Sequence, residues 1–301
     1  MPSRHRYPPT TSRGLAYMAV AGLLFSLMTS CVYALKLCEP QMPPMVVSLF
    51  RVLINLMVLA LPAWWRRDLA GLLGDRRPSL WLRGLFGSLA LMLSFASIQA
   101  IGPGESSFLG ATSGVFVALL SPAVLGQRQS LTAWLAIGGA FTGVGLMFDP
   151  QWGGTDLLGR AMALGSGLLS ALAYLMVARA GRSNSPESVI FYFCLVAVLL
   201  HLAYFAVNDL ALPAAPDAWL VLLAGGLAAS GAQHFMTRAY QLAPATLVSA
   251  TGYLSPVLSL VWGIVLFAKL PAPAALLGCL LVLACGVTLP LLAVRRRNAA
   301  S

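Results

Sequence analysis

Acidic residues are scarce in this chain, nine Asp and Glu in 301 residues, and none falls in the middle of an apolar stretch. A carboxylate proton relay buried in a membrane segment is therefore not evident, and a histidine, facilitated diffusion or solute exchange would have to serve instead. Histidines are fewer still: His5, His201 and His234, with no HExxH and no cluster able to hold zinc or iron. No P-loop pattern is present, which argues against direct use of ATP. The five cysteines, Cys31, Cys38, Cys194, Cys279 and Cys285, are odd in number and scattered, so neither a disulfide framework nor a CxxC metal site can be read from them. No catalytic constellation, metal site or cofactor site is legible.

What the chain has is apolar length. Hydrophobic residues make up 59% and charged residues 9%, against about 25% charged in a typical soluble domain. Ten apolar stretches can be marked, at about 14–37, 43–64, 81–101, 105–126, 131–148, 157–178, 186–206, 217–238, 243–267 and 272–294. Each is long enough to cross roughly 30 Å of hydrocarbon as a helix, the economical way to satisfy a backbone in lipid. The first follows Arg4, Arg6 and Arg13 like a signal peptide. Its apolar core of roughly 22 residues exceeds the 7–15 of a cleaved segment, so it reads as a retained helix.

The net charge of +10 is dispersed between these stretches rather than gathered on a soluble domain, so it reads as membrane orientation and not as nucleic-acid binding. With the N-terminus in the cytoplasm, fifteen basic residues fall inside, Arg83, Arg128 and Arg238 among them, and Lys36, Arg160 and Lys269 fall outside. Both termini are expected to be cytoplasmic, in a bacterial inner membrane.

Sliding the sequence on itself by 141 positions lays Gly84 on Gly225, Pro103 on Pro244, Arg128 on Lys269 and Gly145 on Gly286. A half of five spans begins and ends on opposite sides, so the second half must enter the membrane inverted, a layout common among secondary transporters. The expected fold is all-α and integral to the membrane: ten transmembrane helices as two inverted five-helix repeats around a central cavity. Residues 1–13 form a cytoplasmic tail, 14–148 the first repeat, 149–156 an external linker, 157–294 the second repeat and 295–301 a basic cytoplasmic tail.

The stretches "ASIQAIGPGESSFLGATSGVFVALLSPAVLGQRQSLTAWLAIGGAFTGVGLMF" (96–148) and "RAYQLAPATLVSATGYLSPVLSLVWGIVLFAKLPAPAALLGCLLVLACGVTL" (238–289) resemble the EamA-type repeat of the drug/metabolite transporter superfamily. The resemblance implies a secondary transporter that moves a small metabolite or drug-like solute by alternating access, with export the expected direction. A facilitative channel or solute exchanger is the alternative, and a membrane-embedded enzyme a remoter one. It also implies a cavity lined by the first, third and fourth helices of each half. Two departures stand out. The proline common in the fourth helix is Pro256 in the second half, but the first half has Ser113, Gly114 and Val115; the acid common at that helix's end is Gln127 here.

Several residues stand out along the expected transport path. Arg51 lies about 12 Å inside the second stretch at 1.5 Å per residue, where an ionisable side chain costs about 2.5–3.5 kcal/mol on insertion scales and so invites a function. Asn55 follows it by one helical turn. The pair can bind a substrate carboxylate or phosphate through forked donors, or cross-link helices through carbonyls and side chains. Thr112, Ser113, Tyr253 and Ser255 offer polar groups near mid-depth, although Ser and Thr also join helices, and Gln99 is a further candidate for the path. His234 and Arg238 share a face of the eighth stretch and read either as a proton or gating pair or as an interfacial cap. Pro256 is a bending point. His201 reads as a packing histidine, Glu105 as a helix cap, and the GxxxG of Gly139 and Gly143 as a close helix contact. The partners expected are a small-molecule solute and membrane lipid, with no nucleic acid, and the chain is expected to act as a monomer or weak homodimer.

Overall fold

The computed structural model describes residues 10–101, 103–127, 129–148, 157–267 and 273–288. They form helices throughout: α1 (Thr11–Cys38), α2 (Pro44–Trp65), α3 (Ala70–Leu73), α4 (Pro78–Ile101), α5 (Pro103–Gly110), α6 (Ser113–Leu125), α7 (Leu131–Phe148), α8 (Leu157–Ala180), α9 (Pro186–Phe205), α10 (Pro216–Leu242), α11 (Ala245–Gly252), α12 (Leu254–Phe267) and α13 (Pro273–Leu281), which continues as a π-helical segment, Val282–Thr288. Eight segments are long and apolar enough to cross a membrane, with α5 and α6 contributing to one and α11 and α12 to another. Two shorter apolar helices, Leu131–Leu146 and Leu276–Cys285, fall at the fifth and tenth expected stretches. The linker at 149–156, Arg128 and Lys269 lie outside the described residues.

Local chemistry sets the boundaries. Proline opens α2, α9 and α10, where its missing N–H has no intrahelical acceptor to lose. Ser185 caps α9 by accepting from the Ser188 N–H at 3.1 Å. Gly126 ends α6 at φ +70°, a left-handed position that suits glycine.

The fourth and ninth expected stretches are each broken near the middle. α5 stops at Gly110 and α6 starts at Ser113; α11 stops at Gly252 and α12 starts at Leu254. In the second case Pro256 supplies no N–H to the carbonyl of Gly252, four residues back, and its ring crowds that carbonyl. The first break has no proline. Its carbonyl at Ala111 instead accepts the Tyr253 hydroxyl at 2.7 Å, from across the bundle.

The packing is inside-out relative to a soluble domain. Large apolar side chains such as Leu131, Leu157, Leu199, Leu220 and Leu280 are more than half exposed, as a lipid-facing surface requires. The interior uses small residues, with Ala21, Ala171, Ala229 and Ala239 fully buried, because close helix approach is what holds membrane helices together. At Gly84 an added Cβ would come within 2.7 Å of the Tyr192 carbonyl on α9. α1 lies along α10 and α4 along α8; α4 also meets α9, and α2 meets α10. α7 packs on α13, where an added Cβ at Gly143 would come within 2.6 Å of the Gly278 carbonyl and one at Gly139 would overlap the Cys285 sulfur. The GxxxG is thus a contact within the protomer.

Candidate functional site

A cavity of about 390 Å³ lies between α1, α4, α8, α10 and the two broken helices. α2 contributes only Arg51 to its described lining, and α9 only Phe193; α7 and α13 contribute nothing. Of the residues singled out from the sequence, Arg51, Ser113, Tyr253, Ser255 and Pro256 line it together. Thr112 is not among its described lining residues and turns back to donate to the Leu109 carbonyl at 2.5 Å. Gln99 is on α4, with its side chain outside the described residues; the same holds for Glu105 on α5.

Asn55 is separated from Arg51. It is buried and lines a second cavity of about 560 Å³, reaching α2, α9 and α10, with Arg66, Asp68, Glu187 and His234. There His234 Nδ1 lies 3.5 Å from Glu187 Oε1, on the first turn of α9. Arg238 is exposed one turn further along α10. His201 packs as the sequence suggested: Nδ1 is 2.8 Å from the Ala197 carbonyl and Nε2 is 3.0 Å from Ser48 Oγ. Since a carbonyl can only accept, Nδ1 carries a proton, and in the neutral ring Ser48 donates to Nε2.

Arg83 corrects the charge assignment made from the sequence. The sequence places it among the cations of the positive side, but it is 3% exposed and lines the central cavity. Its guanidinium carbon lies 4.6 Å from the Phe193 ring centroid, and Arg51 stands 5.9 Å from that of Phe25, both within cation–π range. The basic loop at 66–77 masked Arg83, since five residues after Pro78 a charge is ordinarily interfacial. The overlooked signal is "RGLFG" (83–87). Gly84 lets α4 press against α9, and Gly87, one turn on, leaves the space the guanidinium occupies, because a Cβ there would overlap Arg83 Nη1.

The rest of the wall combines hydroxyls with aromatic faces. Ser94, Ser170 and Ser249 line it with Gln233, Tyr174 and Tyr240. The two tyrosine rings stack at 5.2 Å and 17°, and Tyr240 Oη and Ser249 Oγ are 3.0 Å apart. Met18, Met28 and Met236 add adaptable apolar surface.

Two amides tie the end of the fourth expected stretch to the ninth. Gln127 Oε1 accepts from the Ala245 N–H at 3.3 Å. Gln129 donates through Nε2 to Ser121 Oγ and accepts through Oε1 from Thr246 Oγ1 at 2.6 Å. The end of α6 is thereby joined to the start of α11.

A bundle of membrane-length helices around a polar, aromatic cavity is the architecture of a multi-pass membrane transporter. The EamA-like transporter family model matches residues 12–149 and 157–289, and the chain belongs to that family. The pseudopaline exporter of Pseudomonas aeruginosa is 27% identical over 273 residues, covering 90% of this chain and 94% of that protein. A riboflavin transporter of Rhizobium johnstonii is 27% identical, covering 90% and 88%, and mouse solute carrier family 35 member G1 is 24% identical, covering 90% and 76%. A crystal structure matches with a TM-score of 0.82 at 19% identity, covering 95% of this chain and 99% of that one, a likeness of fold.

Proposed function

We propose that this chain is a secondary transporter that exports a small metabolite across a bacterial inner membrane by alternating access, its halves at 14–148 and 157–294 forming inverted five-helix repeats. The carrying observation is the exchange symmetry of the packing. Matching α1 with α8, α2 with α9 and α4 with α10 turns the α1–α10 contact into α8–α4, and α2–α10 into α9–α4. The matched fourth helices break at Ala111 to Thr112 and at Tyr253, on facing sides of one cavity. Two such halves can rock about a central site while each stays rigid.

In this reading the solute passes Arg51, Ser113, Tyr253 and Ser255, and the ninth span bends at Pro256. Asn55 and His234 line a vestibule at the cytoplasmic end, with Arg238 at the interface; Gln99 and Thr112 support the path from the third and fourth spans. Both termini are cytoplasmic. Moving Arg83 into a span leaves fourteen basic residues inside against three outside, a bias that still sets orientation. The named exporter among the relatives supports the direction, and the internal use of Gly139 and Gly143 supports a monomer or weak homodimer.

Reconstitution into proteoliposomes tests this. A carrier gives nucleotide-independent flux that saturates with solute and is accelerated by the same solute on the far side. Conductive flux that never saturates would make the protein a channel.

A further inference from the structure

The two guanidiniums are the charged groups of the central cavity's described lining, and no carboxylate there balances them. Arg83 is 3% exposed, and its Nε has no hydrogen-bond partner. Among the described residues neither arginine forms an ion pair; the pairs present are Arg77 with Asp75 and His234 with Glu187. The cross-linking role considered for Arg51 requires carbonyl or side-chain acceptors, and no hydrogen bond to either guanidinium is found among those residues. What meets the two cations is aromatic, Phe25 for Arg51 and Phe193 for Arg83.

Arg83 is withdrawn from water with no opposite charge among the described residues, which is strongly unfavourable. The half-buried Arg51 adds a second positive charge to the same cavity, so the pair calls for an anion. The forked N–H donors of arginine fit the oxygens of a carboxylate or phosphate. The remaining wall offers serine hydroxyls and Gln233 beside a flat, apolar face made by the stacked Tyr174 and Tyr240 and the methionines.

We propose that the central cavity binds an organic anion, with its carboxylate or phosphate on Arg51 and Arg83 and its flat apolar part against Tyr174 and Tyr240. This rests on the carrier reading and narrows its solute class. Gly87 belongs to the same device, since its missing side chain admits the Arg83 guanidinium.

The test is thermal unfolding of the purified chain in lipid-free neutral detergent with four probes of similar size: phenyl phosphate, phenylpyruvate, the uncharged phenylacetamide and the cation phenethylammonium. Either anion near ten times its Kd should raise the Tm by about 2–4 °C, and the other two should not. Arg51→Gln should weaken the anion effect about tenfold, and Arg83→Gln should abolish it. Should Arg83→Gln fail to fold, the four-probe comparison on the unaltered chain still decides, and Gly87→Ala, which displaces the guanidinium without removing it, should weaken the anion effect.

An equal shift from phenylacetamide or phenethylammonium, a full anion shift retained by Arg83→Gln, or no shift from either anion would each overturn the proposal. So would a shift from dihexanoyl phosphatidylglycerol alone, which would put a lipid phosphate on these arginines. Saturable proteoliposome flux of phenethylammonium without any anion effect would sink the anion site and leave the carrier reading standing.

Discussion

The Tyr253 hydroxyl donates to the Ala111 carbonyl at 2.7 Å, joining the break between α11 and α12 to the break between α5 and α6. The ring reaches that far because residue 114 is glycine: an added Cβ would lie 2.9 Å from Tyr253 Cζ. Tyr253→Phe removes the bond but does not orphan the carbonyl, which also accepts from the Gly114 N–H at 3.2 Å. Its expected cost is therefore modest, about 0.5–1 kcal/mol. Gly114→Ala has to push the ring aside and should cost more, about 1–3 kcal/mol. Reversible unfolding in mixed micelles ranks the two, and a larger loss for Tyr253→Phe would contradict the geometry.

Gln129 bridges Ser121 on α6 and Thr246 on α11, so its loss should free one end of the cavity. Gln129→Ala removes both bonds, and if the pair contributes about 1 kcal/mol to the tied state the population open at that end rises roughly fivefold. The reporter is Ser249→Cys, on the cavity wall, in a background with the five native cysteines replaced by serine. Maleimide labelling from the face that bears Gln129 should speed up by about that factor. An unchanged rate would mean that the amide ties do not govern access.

The all-helical membrane character was legible because membrane physics writes itself into composition: among the described residues the apolar stretches are helical, eight of them long enough to span, and proline and glycine mark several ends. The site was legible only in part. Arg51 announced itself by standing in the middle of an apolar run, whereas Arg83 hid at the edge of a basic loop, where sequence alone cannot tell an interfacial cation from one drawn inward. Asn55 shares a helical face with Arg51 by spacing, yet the two line different cavities, Asn55 with residues of α9 and α10. The break before Ser113 carries no proline, and the bond that accommodates it comes from a residue 142 positions away.

Gly138 and Gly143 form a matched pair on α7. An added Cβ at Gly143 meets the Gly278 carbonyl at 2.6 Å and the Val282 nitrogen at 3.0 Å, both backbone, whereas at Gly138 nothing lies within 4 Å. Gly143→Ala must force α7 and α13 apart, at a cost of about 1–3 kcal/mol. Gly138→Ala should be neutral or stabilising by up to about 1 kcal/mol, since alanine loses less backbone freedom in a helix. Thermal unfolding of the two variants checks the difference, and equal effects would refute the assignment of this contact.

Asp75, in the connection before α4, gives a pH dependence whose sign can be worked out. Its carboxylate accepts from Ser183 Oγ at 2.7 Å and from the Arg77 N–H at 3.1 Å, with Arg77 Nε at 3.3 Å. The Ser183 hydrogen bond is the largest of the effects that hold this carboxyl below its ordinary value. The folded chain thus favours the charged form more than the unfolded chain does, whose pKa is about 3.9. The contribution to stability is complete above that value and fades as pH falls through it toward the lowered folded pKa. Asp75→Asn has no such titration, so its unfolding midpoint should lie below that of the unaltered chain at pH 6, with the gap closing as the pH approaches 3. Ser183→Ala should close part of the same gap at pH 6 while retaining some of the slope, because Arg77 still faces the carboxylate. Parallel curves for Asp75→Asn and the unaltered chain down to pH 3 would mean that this tie between the α3–α4 and α8–α9 connections adds nothing to stability.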